Sequence, residues 1–310
     1  MCSALPSRRD DRKFVNTEAQ RSQSFQLEIF LCDLCASVFR NLHDQAENYF
    51  GQNPSRIAAA DSMNDLEILH RDEQCVAVNK PPDLLVHRSF VATREKENVV
   101  RTLSRQLGQR VFTVHRLDRA TSGVLIFGLN AKAAHSLTTQ FERREVQKTY
   151  LAIVRGYTDD AGTIDMPLKE PYDRIATPAE TTENKPAQEA ITDYETLARS
   201  ELPLSAGKYP TSRYSFVRVT PHTGRRHQIR RHFKHTSHPI VGDIKHGDNH
   251  VNQLIEREFG IRRLLLVASE LSIKHPKTDE LMSLSAVPGD DFDRARELLQ
   301  LNEDCSAAAE

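Results

Sequence analysis

The sequence predicts a mixed α+β fold in which strands dominate the middle of the chain. Short strand-like segments recur through the middle of the chain, two helix-like segments separate them, and Gly, Pro and charged residues stand between the elements. The chain has 310 residues, of which 38% are hydrophobic and 27% charged, which is enough to bury a core and excludes global disorder. It has no run of eighteen apolar residues, so we expect no membrane span.

The first sixty residues differ in character from the rest. We expect residues 1–62 to be an appendage, with a polar tail over 1–23 and an amphipathic helix over 25–50, because apolar residues recur there at steps of three and four. We also hypothesise that residues 1–62 are an upstream extension of a true start at Met63. We expect the folded catalytic body to span 63–300 and a tail to span 301–310.

Cysteine usage points to a reducing compartment. The chain has five Cys, an odd and scattered set in a protein too large to need disulfide staples. Cys32 and Cys35 lie within the expected N-terminal helix, where no second pair of ligands stands at metal spacing, so we interpret them as half-buried thiols. With no recognisable secretory signal, we expect a cytoplasmic protein.

The first half of the body contains two strands, a helix and two more strands. Residues 66–79 predict two short strands around a charged turn, closed by Pro81 and Pro82. A short helix over 99–107 and a strand over 111–114 follow. The nearly continuous apolar run over 123–129 is typical of a strand covered on both faces.

The second half continues with a helix over 131–141 and a strand over 149–154. Residues 156–190, rich in Gly, Pro, Thr and charge, predict loops and hairpins, and strand-like stretches follow over 193–220, interrupted by Pro203 and Pro210. We assign six apolar residues to the core: Leu117, Val124, Leu125, Ile126, Leu151 and Ile153. We expect Gly123 to allow a sharp turn or a close approach to another backbone.

The charge is balanced in total but not along the chain. Lys and Arg number 42 against 43 Asp and Glu, for a net charge of -1. The segment 213–246 nevertheless carries eight Lys or Arg and a single acid, Asp243. A strongly basic segment in a neutral protein suggests a polyanionic partner.

Two clusters could carry chemistry. In the segment 115–123, Asp118 stands between Arg116 and Arg119; nearby cations favour a charged carboxylate, as nucleophilic catalysis requires, although a surface ion pair would look the same. In the segment 223–232, a helix beginning after Gly224 would place a His and two Arg on one face, or it would be a solvated basic helix. Seven of thirteen His lie between 222 and 250, but the cations among them would repel a metal ion, so we expect no metal site.

These residues resemble the RluA-type pseudouridine synthases. The resemblance rests on His-Arg-Leu-Asp-x-x-Thr-Ser-Gly around Asp118, on Lys-Thr-Tyr-Leu-Ala around Tyr150, and on Gly-Arg-x-His-Gln-Ile-Arg-x-His around Arg230, and it runs from about residue 66 to 286. Ala120 departs from the pattern, which has proline there. The resemblance implies the catalytic fold of that family, a mixed, mostly antiparallel sheet with flanking helices and a central basic cleft. It also implies an isomerase that converts uridine in RNA to pseudouridine without a cofactor.

The resemblance also implies residue roles. Asp118 would be the nucleophile or the base that promotes cleavage of the glycosidic bond, Arg230 would hold its carboxylate, and Tyr150 would stack on the uracil or transfer a proton. The target nucleotide must leave its stack to be reached. His115 or Arg116 would fill the gap it leaves, or Arg116 would form an ion pair with Asp118.

Similarity in the segments 79–81, 85–89, 242–248 and 259–264 favours the members of the family that act on tRNA, with uridine 65 of the T stem as the implied target. Two alternatives stay open: a synthase that modifies 23S ribosomal RNA, and an RNA-binding or chaperone protein without turnover. We expect a monomer that binds tRNA and no membrane. The expected RNA contacts are His115, Arg116, Arg119, Arg225, Arg226, His227, Arg231, Lys245, Arg262 and Arg263.

Overall fold

The computed structural model describes residues 65–87, 97–170, 186–207 and 209–301. The expected N-terminal tail, amphipathic helix, thiol pair, Met63 start and domain boundary at residue 62 lie outside these residues, and they stay predictions. No helix among the described residues is long and apolar enough to cross a membrane.

One ten-stranded sheet organises the body. Its strands are β1 (Glu67–Arg71), β2 (Cys75–Lys80), β3 (Phe112–Thr113), β4 (Ser122–Gly128), β5 (Gln147–Arg155), β6 (Ala161–Asp165), β7 (Ile191–Leu202), β8 (Ser212–Pro221), β9 (Leu266–Lys274) and β10 (Leu281–Ser285). They are ordered β1-β2-β4-β9-β5-β8-β7-β6, with β10 paired to β9 and β3 to β4. Only the β4–β9 pair is parallel among the described strands, so the expected mixed, mostly antiparallel sheet is confirmed.

Strand β4 is the buried centre of the sheet. All seven of its residues are buried, as its continuous apolar run predicts. Gly123 has φ 109°, and a Cβ atom there would lie 2.1 Å from the carbonyl oxygen of Ala268 on β9. The expected close approach of Gly123 to another backbone is confirmed, because only glycine lets the two strands meet at this point.

In the part of the chain that the structure describes, five helices flank the sheet: α1 (Val99–Leu107), α2 (Ala131–Glu142), α3 (Gln228–His235), α4 (Asn249–Phe259) and α5 (Asp290–Leu298). Asn98 caps α1 by accepting the amide hydrogen of Arg101, and Asn130 caps α2 by accepting that of Ala133. Both helices follow the bounds that the sequence predicts to within one residue.

Helix α3 begins later than expected. It starts at Gln228, and the residue before it, His227, has a left-handed backbone with φ 55°. The helical face that the sequence predicts for His227 together with Arg230 and Arg231 is therefore wrong. Gln228 anchors this start, since its side-chain oxygen accepts from the amide of Arg225 and the hydroxyl of Thr223.

The prolines in the second half fall between strands. Pro203 follows the end of β7 and Pro210 lies just before β8, in agreement with the expected interruptions. The stretch expected to hold loops and hairpins contains β6, which pairs with the first half of β7. Helices α4 and α5 and strands β9 and β10 were not predicted.

The core lies on both faces of the sheet. Of the six residues assigned to it, five are buried, and Leu151 is half-buried against the same apolar cluster as Ile153. Leu301 is fully buried in that cluster, so the packed chain extends one residue past its expected end.

Candidate active site

Asp118 lies in a tight turn immediately before β4. Its carbonyl oxygen accepts the amide hydrogen of Thr121 at 3.1 Å. The ammonium of Lys80, at the end of β2, donates to the carbonyl oxygens of Arg119 at 2.8 Å and Pro81 at 2.7 Å. Lys80 is fully buried, and burial lowers its pKa to about 7. A buried lysine thus fixes the turn that carries the carboxylate.

Arg230 reaches this carboxylate from α3, 112 residues further along the chain. Its Nη1 donates to Oδ2 of Asp118 at 3.0 Å, and the guanidinium is buried while Asp118 is 20% exposed. The structure therefore brings together the two groups that the sequence predicts to meet. The Asp118 carboxylate stays accessible to a ligand and is held from the protein side.

Asp243 holds Arg230 from the opposite side. This carboxylate is 1% exposed and accepts from Nε of Arg230 at 2.7 Å and from Nη2 at 2.8 Å. Its Oδ1 also accepts the backbone amides of Lys245 and His246, both at 2.9 Å. Burial alone would raise the pKa of Asp243, but the hydrogen bonds and charge of Arg230, together with the backbone amides of His246 and Lys245, outweigh burial and leave the pKa below its usual range.

Sequence reasoning missed this role for Asp243. The signal in the sequence was that Asp243 is the sole acid in the segment 213–246, because an acid among eight Lys and Arg residues is expected to pair with one of them.

Tyr150 is on β5, next to Asp118. The pairing of β5 with β9 shifts register between Thr149 and Tyr150, and such a bulge re-aims the side chain that follows it. The ring packs against two apolar clusters, one on each side. Burial, and then the negative charge of Asp118, raise the pKa of the Tyr150 phenol, so it keeps its proton.

His227 also faces Asp118. Its Nε2 lies 3.9 Å from Oδ1 of Asp118, and its Nδ1 lies 2.8 Å from Nε2 of His246. The left-handed backbone of His227, rather than a helical face, is what directs this ring into the site. His227 was expected as an RNA contact and His246 was not assigned a role.

Two expected RNA contacts are instead tied into the fold. His115 accepts the amide hydrogen of Ile126 at Nε2 and stacks on Phe141 with ring centroids 4.4 Å apart; burial lowers its pKa to about 3. Arg263 is buried and donates to Ser122 Oγ and Asp291 Oδ1, both at 2.6 Å. These contacts engage the His115 and Arg263 side chains within the fold, and their assignment to RNA binding stays a prediction.

The cations that flank Asp118 in sequence are not its partners. Among the described residues, the cation paired with Asp118 is Arg230, so the expected ion pair with Arg116 is wrong. Arg116 is exposed, and Arg119 donates from Nε to the carbonyl oxygen of Asp83. Arg116 filling the place of an extruded nucleotide stays a prediction.

Other expected RNA contacts lie near the carboxylate or on the surface. Arg226, Lys245 and Arg262 are exposed, and Arg225 and Arg231 are half-buried. Arg225 donates to the carbonyl oxygen of Glu189, and Arg262 pairs with Glu256. Two cavities, of about 270 and 590 Å³, are lined by neither Asp118 nor Arg230, so the central basic cleft stays a prediction.

The described residues offer one cluster with metal-binding atoms. His70, Asp72 and Cys75 place ligand atoms within 4.8 Å of one another at the turn between β1 and β2. Asp72 uses these atoms in hydrogen bonds, accepting from His70 at 2.7 Å and from the Cys75 thiol at 3.5 Å. The cluster sits beside Gly128, at the other end of β4 from the Asp118 turn.

Comparison with known proteins agrees with this geometry. A family model described as RNA pseudouridylate synthase matches residues 74–235, which include Asp118, Tyr150 and Arg230. The chain belongs to the RNA pseudouridylate synthase family. The resemblance to RluA-type pseudouridine synthases is therefore confirmed, as is the expectation of an isomerase that converts uridine to pseudouridine.

Relatives and solved structures extend the match. The chain is 50% identical over 221 residues to tRNA pseudouridine synthase C of Pasteurella multocida (strain Pm70), covering 71% of this chain and 90% of the relative. It is 49% identical over 223 residues to the enzyme of that name from Haemophilus ducreyi (strain 35000HP / ATCC 700724), covering 72% and 91%.

Among solved structures, human RNA pseudouridylate synthase domain containing 1 matches with a TM-score of 0.56 and 28% identity, over 74% of this chain and 86% of that one. Human RNA pseudouridylate synthase domain containing 4 matches with a TM-score of 0.56 and 25% identity, over 76% and 94%. The expected catalytic fold of the pseudouridine synthase family is thus confirmed.

Proposed function

We propose that this pseudouridine synthase acts on tRNA, with Asp118 as its reacting group. The observation that carries the proposal is the partly exposed carboxylate of Asp118, which the buried Arg230 guanidinium holds at 3.0 Å. The chain is also about 50% identical to enzymes named tRNA pseudouridine synthase C. The target follows the resemblance: uridine 65 in the T stem.

In the proposed reaction, the uracil leaves its N1–C1′ bond, turns, and rejoins the ribose through C5. Asp118 attacks the nucleoside or acts as the base that promotes cleavage. Arg230 orients the carboxylate through a charge-assisted hydrogen bond, and Asp243 holds the other edge of the same guanidinium. Tyr150 offers a protonated, apolar ring on which the uracil stacks.

The enzyme must extrude its target nucleotide, at a cost of a few kcal/mol, because a carboxylate at the base of a site cannot reach a stacked ribose. Contacts with phosphates supply that free energy. Arg226 and Lys245 are exposed on the segments adjoining Arg230 and Asp243, and we propose them, with Arg225 and Arg231, as phosphate contacts. We propose that the Arg116 side chain fills the gap that the extruded nucleotide leaves in the RNA helix.

The proposed setting is a monomer in the cytoplasm, where tRNA is available, and the chemistry needs no cofactor. The test is to incubate the purified protein with unmodified tRNA and, separately, with 23S ribosomal RNA, and to map pseudouridine in both. Pseudouridine at position 65 of tRNA is the expected product. Product in ribosomal RNA alone would overturn the substrate, and RNA binding without product would favour a protein without turnover.

A further inference from the structure

A hydrogen-bonded pair of histidines adjoins the reacting carboxylate. His227 Nδ1 and His246 Nε2 are 2.8 Å apart, and the other nitrogen of His227 lies 3.9 Å from Asp118. The rings meet edge to face, with centroids 5.1 Å apart and planes at 78°. The pair therefore forms a row that starts at Asp118 and runs through His227 to His246.

The backbone is shaped to hold this row. A φ of 55° is unfavourable for a residue with a side chain, yet His227 adopts it without providing a side-chain cap for α3. His246 is fixed through its amide, which donates to the Asp243 carboxylate that also holds Arg230. Asp243 thus aligns both the guanidinium beside Asp118 and the outer ring of the pair.

Both rings are neutral at neutral pH. Burial, together with the nearby Arg230, His246 and Lys245, lowers the pKa of His227 to about 4, against the opposing charge of Asp118.

Burial also lowers the pKa of His246. Nearby Arg230, Lys245 and Arg231 add to that effect, against the charge of Asp243. Two neutral imidazoles that share one hydrogen bond have two arrangements, in which either ring is the donor.

The isomerisation needs two proton transfers. Uridine carries a hydrogen on C5, and pseudouridine carries one on N1 instead, so one proton must leave C5 and one must reach N1. The His227 ring, 3.9 Å from Asp118 and 2.8 Å from the His246 ring, offers a route for these protons between the uracil and solvent.

We propose that His227 and His246 relay both protons between the bound uracil and solvent, an inference that rests on the proposed function. When C5 has bonded to C1′, Nε2 of His227 takes the C5 proton and the C5–H electron pair returns to the ring. Nδ1 of His227 passes its proton to Nε2 of His246, whose Nδ1 releases one to water. The reverse sequence delivers a proton from water to N1, so the pair ends in its starting arrangement and no charge is left over.

The test follows loss of the C5 hydrogen in a single turnover. Wild type, His246→Ala and His246→Phe react with tRNA labelled with tritium at C5, and then with tRNA deuterated at C5. We expect both variants to release tritium about 100-fold more slowly, the range typical of acid–base groups, and to show a primary deuterium isotope effect. We expect added imidazole to restore the rate of tritium release in His246→Ala. We expect both variants to bind tRNA with wild-type affinity. His135→Phe, on the exposed face of α2, should match wild type.

The outcomes separate the two proposals. A wild type that forms no pseudouridine in tRNA overturns the proposed function. An active wild type with a His246→Ala variant of equal rate overturns the relay alone. Slower variants that show neither an isotope effect nor imidazole rescue, with an unchanged thermal midpoint, also overturn the relay, because His246 would then act only through packing.

Discussion

Replacing Asp243 with Asn tests whether the acid behind Arg230 supports catalysis. The wild-type carboxylate accepts four hydrogen bonds, two from the Arg230 guanidinium and two from backbone amides. An Asn side chain offers one oxygen and turns an NH2 group toward a donor. Arg230 would then remain buried with Asp118 as its only anionic partner.

The magnitude follows from the burial of the pair. Asp243 is 1% exposed and Arg230 7% exposed. Removing one partner of such a buried pair costs about 3 to 5 kcal/mol when the other charge is left unpaired. Arg230 keeps its bond to Asp118, so we expect a loss near the lower end of that range. A guanidinium that shifts by about 1 Å also misplaces the Asp118 carboxylate, which reduces the rate by about 100-fold. The variant should therefore lose both stability and turnover.

Two measurements check this expectation. Urea denaturation gives the free energy of unfolding, and single-turnover formation of pseudouridine in tRNA, below the unfolding transition, gives the rate per folded molecule. The matched control is Asp248→Asn. Asp248 caps α4 and pairs with Arg155 at the half-exposed surface. Asn caps a helix about as well as Asp, so the variant loses only the ion pair, and we expect a loss below about 1 kcal/mol and a wild-type rate. An Asp243→Asn variant with stability within about 1 kcal/mol of wild type and an unchanged rate would contradict a role for Asp243 in holding Arg230.

Three further predictions follow from the structure. The pKa of Lys80 falls from 10.5 to about 7 on folding, so between these pH values the unfolded chain binds a proton that the folded chain lacks and stability rises with pH; Lys80→Met should flatten that rise in urea titrations by an amount on the order of 5 kcal/mol, and an unaltered slope would contradict the burial of the Lys80 amine. Gly123→Ala should destabilise the protein by about 3 kcal/mol or more, since its Cβ would collide with Ala268, whereas Gly108→Ala, with open space around it, should cost about 1 kcal/mol in the same thermal melts; equal losses would argue against the close approach. Affinity for tRNA should fall roughly 100-fold between about 50 and about 200 mM salt if the four proposed cations, Arg225, Arg226, Arg231 and Lys245, all contact phosphates, and filter binding that is insensitive to salt would contradict the proposed contacts.

Local patterns in the sequence predicted most of the sheet and the first two helices. The apolar run of β4 and the Asn residues that cap α1 and α2 act on neighbouring residues in the chain. Their effect can therefore be predicted from local sequence alone. The late start of α3 was not predictable in this way. It depends on the Gln228 side chain, which bonds to Thr192 on β7 as well as to Thr223.

The same distinction between local and distant interactions applies to the residues of the candidate site. Asp118, Tyr150 and Arg230 were identified because each lies in a motif of the family, and the motifs are local. Asp243 and His246 gain their roles from contacts with Arg230 and His227, 13 and 19 residues away in the chain. Likewise, nothing near Arg263 in sequence indicates that its guanidinium donates a hydrogen bond to Ser122, 141 residues away.

The most direct test of the account compares wild type with Asp118→Asn in a single turnover on unmodified tRNA, with tRNA affinity measured alongside. The account predicts that wild type forms pseudouridine and that the variant binds tRNA with wild-type affinity while forming none. A variant that isomerises uridine at a rate near that of wild type would contradict the assignment of Asp118 as the reacting group.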